Sequence, residues 1–235
     1  MGKVLSIVLG ANSNFSKYLE PIDFNYSEIY YFIYNHKISP IQKKTIKSKF
    51  GDYKYHFLSG QDNWISKLIL EIKLEKVEYI QIVNLIRYPL KRSEFSEIKP
   101  EDWVNSFATD PVAFINLLQK LCKKRVIGAK NLSGSIVCFS SYLGLYGSSD
   151  QIPYALSKAS LMNFTKCVSP VLIKLGFRIN NISFGSIDFT LTKDSNNSRT
   201  KLNNNIHVAE VKKVLKFLLS RESSAINGEN INLSR

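Results

Sequence analysis

The segment from Gly134 to Lys158, GSIVCFSSYLGLYGSSDQIPYALSK, decides the fold predicted for this chain. It begins with a short apolar run, Ile136–Phe139, which is typical of a strand buried on both faces of a parallel sheet. A loop rich in glycine and serine follows, and a helix is predicted from about Tyr154 to Leu175. A strand, a loop and a helix in this order indicate an α/β domain built on a parallel sheet.

Three residues of this segment form a candidate catalytic set. Tyr154 and Lys158 are four positions apart and therefore share one face of the predicted helix, while Ser141 follows the strand at the edge where open α/β sheets bind ligands. A tyrosine with its ordinary pKa of about 10 is a poor general base near neutrality. One ammonium group about 4 Å away supplies on the order of 4 kcal/mol towards a phenolate, and a serine hydroxyl can hold the substrate oxygen during proton transfer. The alternative is a half-buried ring beside a solvated charge, which is the usual meaning of such a pair on a helix.

The spacing of Ser141, Tyr154 and Lys158 after a buried strand resembles the short-chain dehydrogenase/reductase family in its compact, single-domain form. The resemblance implies one doubly wound Rossmann-type domain over residues 1–235, with about seven parallel strands flanked by helices. It also implies an NAD(P)-dependent oxidoreductase that reduces a carbonyl to an alcohol. In that reaction the serine holds the carbonyl, the tyrosine donates the proton, and the lysine supports the tyrosine and binds the cofactor ribose.

The first predicted strand, Val4–Leu9, leads into a candidate dinucleotide loop that reads GANSNFSK over residues 10–17. Of the three glycines that the family has here, only Gly10 is present. Asn14 and Ser16 stand at the other two positions, where asparagine tolerates left-handed backbone and serine is small. By resemblance, the backbone of this loop approaches the cofactor pyrophosphate at a helix N-terminus. The predicted contacts are Gly10, Asn12, Ser13, Asn14 and Phe15.

The end of the second predicted strand, Glu28–Tyr34, bears on the choice of cofactor. Asn35, His36 and Lys37 follow it, without an acidic residue that would bind the ribose diol and repel a 2′-phosphate. NADP is therefore favoured, with NAD still possible, and Asn35 and Lys37 are the predicted contacts.

The resemblance also implies cofactor contacts after three later strands. Predicted strands at 52–58 and 79–83 each end beside such contacts, and only Asn84 matches the family's Asn-Asn-Ala-Gly motif. After a further strand, the backbone around Ile187 is expected to meet the nicotinamide carboxamide. The predicted contacts are Ser59, Gly60, Asn84, Gly185 and Ile187.

A long helix predicted at Glu101–Leu121 carries Asp110. Counted from Trp103, Asp110 falls where the family often has a catalytic asparagine that positions water beside the lysine. A carboxylate there can accept hydrogen bonds, and its charge tends to raise the pKa values of both the lysine and the tyrosine. An ordinary polar helix residue is the alternative. Pro111 is expected to bend this helix, and Pro170 is expected to kink or interrupt the helix that follows the serine loop.

The polar, asparagine-rich segment at about 189–206 resembles the family's substrate lid. Its Lys193, Arg199 and Lys201 favour an anionic substrate, such as a nucleotide sugar or a carrier-linked acyl group, with solvated charges as the alternative. An amphipathic helix at Val208–Leu219 and a final strand before the C-terminus are predicted to follow.

Composition excludes several other classes. With 235 residues, 44% of them hydrophobic, the chain suits one large domain. The net charge of +13 includes six lysines between residues 37 and 54, but no nucleic-acid motif accompanies them, so no nucleic-acid partner is predicted. The chain has no run of eighteen apolar residues, so no membrane partner is predicted. Its three cysteines lack metal-ligand spacing, which predicts free thiols, no metal and a cytoplasmic location.

Two function classes stay open. The first is the reductase, acting on a small carbonyl or alcohol substrate. We expect it to be a homodimer or homotetramer, because the helices of Trp103 and Tyr154 carry apolar residues beyond one core stripe and form the family's usual assembly surfaces. The second is a non-catalytic scaffold or partner subunit whose dinucleotide loop has decayed. The presence of Ser141, Tyr154 and Lys158 together favours the enzyme.

Overall fold

The computed structural model describes residues 3–10, 28–32, 66, 77–88, 92–188 and 206–234, with only the backbone described at a few of these positions. Eight strands and five helices lie in this part of the chain, together with short 3-10 turns at Phe95–Glu97 and Arg221–Ser223. The strands are β1 (Lys3–Leu9), β2 (Glu28–Phe32), β3 (Val77–Asn84), β4 (Ser133–Phe139), β5 (Phe177–Phe184), β6 (Ile187–Asp188), β7 (Ile206–His207) and β8 (Asn230–Leu233). The helices are α1 (Pro100–Phe107), α2 (Ala113–Lys123), α3 (Tyr142–Tyr146), α4 (Ile152–Lys174) and α5 (Val208–Leu219).

Six of the strands form one parallel sheet in the order β2-β1-β3-β4-β5-β8. The chain runs outward from β1 to β2 and then returns to β3 on the other side of β1, so the strand order reverses between β1 and β3. Such a reversal is the point where doubly wound sheets bind their ligands, outside the carboxyl ends of the strands. The predicted fold class is confirmed. About seven strands were predicted and six lie in the sheet of the described residues, while the predicted strand at 52–58 lies outside them.

The four central strands, β1, β3, β4 and β5, are buried on both faces, as is typical of a parallel sheet. On one face, Ile82, Ile136 and Ile179 pack with side chains of α2 and α4. On the other, Val137 and Ile182 pack with α5. Each fully buried side chain of this size contributes about 1.5–3 kcal/mol of transfer free energy. The two layers of helices therefore fix the sheet rigidly, and its carboxyl edge is a stable platform for a site.

The predicted helix at 101–121 is interrupted, and the prediction of one long helix is wrong. α1 and α2 are joined by a five-residue turn of π-helical hydrogen bonding, Ala108–Val112, in which Asp110 has the extended angles φ −155° and ψ 112°. Pro111 is the physical reason: it has no N–H to continue the helix and disfavours helical angles at the preceding residue. The bend expected at Pro111 is thus confirmed, and it removes Asp110 from helical geometry.

A kink or an interruption was predicted at Pro170, and the interruption does not occur, because α4 continues to Lys174. A proline inside a helix leaves the carbonyl four residues earlier without its N–H partner. That carbonyl belongs to Lys166, and the Ser169 hydroxyl donates a hydrogen bond to it at 3.1 Å. The neighbouring serine therefore compensates for the missing donor.

The helix predicted at Val208–Leu219 is confirmed with the same bounds. The predicted lid at about 189–206 lies outside the described residues except for Ile206, which belongs to β7. None of the helices in the described ranges is long and apolar enough to cross a membrane. In the same ranges, histidine, cysteine, aspartate and glutamate do not form a group of three or more that could hold a metal ion.

Candidate active site

The predicted site residues of the described chain meet at the carboxyl edge of the sheet, around the ends of β1, β3 and β4. Gly10 follows β1 and Asn84 ends β3, while Ser141 follows β4 and Lys158 reaches across from α4. The Lys158 ammonium nitrogen lies 3.2 Å from the carbonyl oxygen of Ile86 and 2.9 Å from that of Phe139. One side chain therefore ties α4 to the ends of two central strands.

Gly10 allows the ends of β1 and β3 to approach each other. Its φ is +73°, and a Cβ there would lie 2.7 Å from the backbone carbon and oxygen of Leu85. The amide of Leu85 also donates to the carbonyl of Leu9 at 2.9 Å. Only glycine adopts this conformation without strain and without overlapping the neighbouring backbone.

Asn84 shapes the turn that follows β3. Its side chain is fully buried, and its Oδ1 accepts a hydrogen bond from the amide of Ile86 at 3.1 Å. An asparagine that bonds its own backbone two residues on forms a stable turn. This turn directs the carbonyl oxygen of Ile86 towards the Lys158 ammonium group.

Ser141 has a structural contact at the start of α3. It is the N-cap residue, and its Oγ accepts a hydrogen bond from the amide of Leu143 at 3.2 Å. Replacing such a cap by alanine typically costs about 1 kcal/mol. The bond uses the oxygen as an acceptor, so the hydroxyl hydrogen is available to a second oxygen.

α3 packs directly against the turn of α4 that carries Lys158. A Cβ at Gly144 would lie 2.9 Å from the amide nitrogen of Ala159 and 3.0 Å from the carbonyl carbon of Lys158. Real Cβ atoms essentially never approach this closely, so the two backbones touch only because residue 144 is glycine. The positions of Ser141 and Lys158 are thereby coupled.

Tyr154 lies in the first turn of α4 and is half-buried. This turn begins with Ile152 and Pro153, and proline is favoured at the start of a helix. The Ser106 hydroxyl of α1 donates to the carbonyl of Pro153 at 3.1 Å, which anchors the turn. The Lys158 ammonium nitrogen lies 5.8 Å from the centre of the Tyr154 ring, within the range of cation–π attraction.

Asp110 and Lys158 form a buried ion pair. Asp110 Oδ2 lies 2.5 Å from Lys158 Nζ, and the two side chains are 1% and 3% exposed. Burial lowers the pKa of Lys158, but the charge of Asp110, helped by Tyr154 and Cys138, leaves that pKa above its ordinary value. Burial raises the pKa of Asp110, against the opposing charge of Lys158. The interpretation of Asp110 as an ordinary polar helix residue is therefore wrong.

The face of the sheet below this pair changes from apolar to polar in one step. Ile82, Ile136 and Ile179 lie side by side in one row across β3, β4 and β5. Two positions closer to the carboxyl edge, on the same face, the next row is buried and consists of Asn84, Cys138 and Asn181. Burial raises the pKa of the Cys138 thiol, and the charge of Asp110 adds to the increase. This row was not predicted from the sequence; the adjacent asparagines Asn180 and Asn181 of β5 are the visible signal for a polar position within a buried strand.

The remaining predicted contacts divide into two groups. Gly185 and Ile187 follow β5, where both are half-buried and Ile187 pairs with Ile206 in a separate two-stranded ladder. The others lie outside the described residues: Asn12, Ser13, Asn14, Phe15, Asn35, Lys37, Ser59 and Gly60.

The fold and the groups at its carboxyl edge define a Rossmann-type α/β protein with a serine, a tyrosine and a lysine beside the switch point. The family model described as "Enoyl-(Acyl carrier protein) reductase" matches residues 70–234. The chain belongs to the short-chain dehydrogenase/reductase family.

Curated relatives agree with this family, and a solved structure has the same fold. The 3-oxoacyl-acyl-carrier-protein reductase FabG of Thermotoga maritima is 31% identical over 143 residues, which cover 58% of this chain and 57% of the relative. The FabG protein of Chlamydia muridarum is 29% identical over 140 residues, covering 57% of this chain and 55% of the relative. The chain thus spans a little more than half the length of these relatives. A solved structure described as NAD+-bound xylitol dehydrogenase shares the fold, with a TM-score of 0.77, 15% identity and coverage of 98% and 97% of the two chains.

Proposed function

We propose that this protein is an NAD(P)-dependent reductase that converts a carbonyl group to an alcohol, with NADPH as the preferred donor. The observation that carries the proposal is the position of the Lys158 ammonium group. It lies at the carboxyl edge of the sheet, 2.9 Å from the last carbonyl of β4 and 5.8 Å from the ring of Tyr154. The names of the relatives, which are reductases and dehydrogenases, support the same reaction class.

The described residues at the switch point support a dinucleotide site. Gly10 lets the end of β1 pack directly against the backbone of Leu85, and the turn held by Asn84 follows at the end of β3. Gly10, Asn84, Gly185 and Ile187 are the described residues proposed to hold the cofactor, with Lys158 at the ribose. When bound, the nicotinamide supplies the hydride.

The protein's own groups handle the substrate oxygen and the proton. Ser141 donates its free hydroxyl hydrogen to the substrate carbonyl oxygen, while its oxygen keeps the bond from Leu143. Tyr154 donates its hydroxyl proton to that same oxygen as the carbonyl is reduced. Lys158 then stabilises the negative charge left on the tyrosine through its nearby positive charge.

We propose a 3-oxoacyl thioester carried on an acidic protein or on coenzyme A as the substrate class. Two relatives are named as 3-oxoacyl-acyl-carrier-protein reductases. The net charge of +13 favours encounter with an anionic carrier. Lys193, Arg199 and Lys201, which lie outside the described residues, are the basic residues proposed to meet it.

A homodimer or homotetramer is proposed as the working form. Val104 of α1 is 67% exposed and Leu156 of α4 is 47% exposed. These two helices are the ones expected to meet a second copy, and covering their apolar side chains would remove surface that is unfavourable in water.

The second candidate function is a scaffold that does not bind cofactor. Two observations favour it: only one of the three expected glycines is present in the loop at 10–17, and the Lys158 ammonium group already has three acceptors in the protein. Titration with NADPH, followed by intrinsic tryptophan fluorescence, separates the two. Saturable binding, together with NADPH oxidation in the presence of acetoacetyl-coenzyme A, supports the reductase. No binding at millimolar NADPH would support the scaffold.

A further inference from the structure

The Asp110–Lys158 pair is unusual in being almost completely excluded from water. Asp110 is 1% and Lys158 is 3% exposed, and both lie below the carboxyl edge of the sheet. A buried charge is strongly disfavoured unless it is paired and hydrogen-bonded. The site therefore retains a cation only if something in the protein compensates for its loss of water.

The acceptors around Lys158 match its three ammonium hydrogens. They are the carbonyl oxygen of Ile86 at 3.2 Å, the carbonyl oxygen of Phe139 at 2.9 Å and Asp110 Oδ2 at 2.5 Å. A lysine ammonium group has three donors and no acceptor. The two carbonyls fix its direction but carry no net charge, so only the carboxylate compensates the charge.

The titratable groups that act on Lys158 come from three elements. Asp110 approaches from the turn between α1 and α2, Tyr154 from one turn earlier in α4, and Cys138 from β4. Tyr154 and Cys138 are neutral in their protonated forms. Of these described groups, Asp110 is the one that supplies a full negative charge at neutral pH when it is ionised.

The break in the helix brings this carboxylate to the lysine. Asp110 has extended backbone angles between two helical segments, because Pro111 follows it. Its side chain reaches a residue 48 positions later in the chain.

We propose that Asp110 is a positioning residue, which keeps Lys158 protonated and fixed between the ends of β3 and β4 so that the site keeps a cation beside Tyr154. The catalytic meaning of this inference rests on the proposed function. The ion pair itself can be tested without cofactor or substrate.

The expected direction of the change in the Lys158 pKa follows from two opposing influences, which are burial and the charge of Asp110. Burial lowers the pKa of Lys158, and the charge of Asp110 is the largest of the influences that raise it. In Asp110→Asn, an acceptor remains but the charge is gone, so only the weaker influences of Tyr154 and Cys138 oppose burial. Lys158 then loses its proton at a lower pH in the folded variant than in its unfolded chain.

The first measurement is the urea unfolding midpoint of the wild type and Asp110→Asn between pH 7 and pH 10. In the wild type, the raised pKa of Lys158 gives a contribution to stability that is present throughout this window and is lost only at higher pH. In Asp110→Asn the lowered pKa gives the opposite slope, because stability returns as the lysine discharges. The variant should therefore be less stable at pH 7, and the difference should shrink towards pH 10. Burial, the largest cause of the raised pKa of Cys138, is present in both proteins.

Glu210→Gln is the matched control. It also removes one carboxylate from an ion pair, but that pair, with Lys213 on α5, is exposed. The difference in urea unfolding midpoint between Glu210→Gln and the wild type should stay constant from pH 7 to pH 10. If the difference in unfolding midpoint between Asp110→Asn and the wild type is also constant from pH 7 to pH 10, the inference is overturned.

A double variant keeps the test decisive if Asp110→Asn does not fold. Asp110→Asn with Lys158→Met removes both charges, so it should fold and be more stable than either single variant. A double variant no more stable than the singles would overturn the inference.

The catalytic part is tested by NADPH turnover with acetoacetyl-coenzyme A at pH 6.5 and pH 9. Asp110→Asn should lose more turnover at pH 9 than at pH 6.5, because the lysine is deprotonated at the higher pH. The additional loss at pH 9 should be about tenfold for each unit by which the lysine pKa falls below 9. Asp110→Glu should restore the wild-type pH dependence. An equal loss at both pH values would overturn the inference. If the wild type neither binds NADPH nor turns over, the proposed function fails, and the unfolding measurement still decides the role of Asp110 in the ion pair.

Discussion

Gly144→Ala tests whether the contact between α3 and α4 sets the geometry of the site. The new Cβ would lie 2.9 Å from the Ala159 amide nitrogen and 3.0 Å from the Lys158 carbonyl carbon, whereas ordinary contact begins at 3.4 Å. The helices must therefore separate by roughly 0.5 Å. A misplacement of about 1 Å costs about 10²-fold in rate, so about half of it should lower turnover roughly tenfold.

The stability of Gly144→Ala should change less clearly. Overpacking costs about 1–3 kcal/mol, and alanine in place of glycine in a helix returns up to about 1 kcal/mol. The net loss of unfolding free energy should reach about 2 kcal/mol, or up to about 8 °C in melting temperature for a chain of this size. Thermal unfolding and NADPH oxidation with acetoacetyl-coenzyme A measure the two effects.

Gly147→Ala is the matched control in the same loop. Gly147 has φ +82°, and a Cβ there would meet no atom within 4 Å. Its ψ of 179° places Gly147 in a backbone region that is essentially restricted to glycine, so alanine should cost about 1–3 kcal/mol of backbone strain. Because the new Cβ does not press on α4, turnover should remain within about twofold of the wild type. Wild-type turnover in Gly144→Ala, or an equal loss in both variants, would refute the claim that this contact positions the site.

Three further predictions concern the serine, the cofactor and the assembly. Ser141→Ala removes the cap of α3, so it should lower the unfolding free energy by about 1 kcal/mol and should also lower turnover. Ser141→Thr should keep the wild-type stability. Wild-type turnover in the alanine variant would exclude a role of Ser141 in holding the substrate. NADPH should bind roughly ten- to a hundredfold more tightly than NADH at low salt, and Lys37→Glu should weaken NADPH alone; equal affinities in fluorescence titration would contradict the charge argument. Light scattering at micromolar concentration should give a multiple of 26.8 kDa, and a monomer alone would contradict the proposed assembly.

The strands and helices with strong periodicity could be predicted from sequence. Ile136–Phe139 lies within β4 and the predicted helix at Val208–Leu219 has the same bounds in the structure. In both cases the local apolar pattern and the tertiary packing require the same element, because the central strands of the sheet are buried on both faces and α5 covers one of them. Local and global preferences agree there.

The departures lie where a distant or neighbouring partner decides the local structure. Pro170 is compatible with a continuous helix because the Ser169 hydroxyl takes up the carbonyl of Lys166. Asp110 leaves the helix and pairs with Lys158, which is 48 residues away. The sequence carries no direct information on either contact. The prolines alone predicted a bend at Pro111, which occurs, and an interruption at Pro170, which does not.

The polar row below the site could not be predicted from the sequence either, because its members are neighbours only in the assembled sheet. Asn84, Cys138 and Asn181 come from three strands, and their adjacency depends on the register of β3, β4 and β5. β3 and β5 carry other polar residues as well, such as Gln81 and Asn180, so the sequence of a single strand does not distinguish the members of this row. Only the assembled sheet shows that these residues form one layer below the Asp110–Lys158 pair.

The turnover of Tyr154→Phe tests the central claim most directly. This variant removes only the hydroxyl that donates the proton, so NADPH affinity should stay within about twofold while turnover with acetoacetyl-coenzyme A falls by roughly 10²–10⁴. Tyr146→Phe, which alters a tyrosine that is 78% exposed, is the control and should retain the wild-type rate. Near-native turnover in Tyr154→Phe would contradict the account.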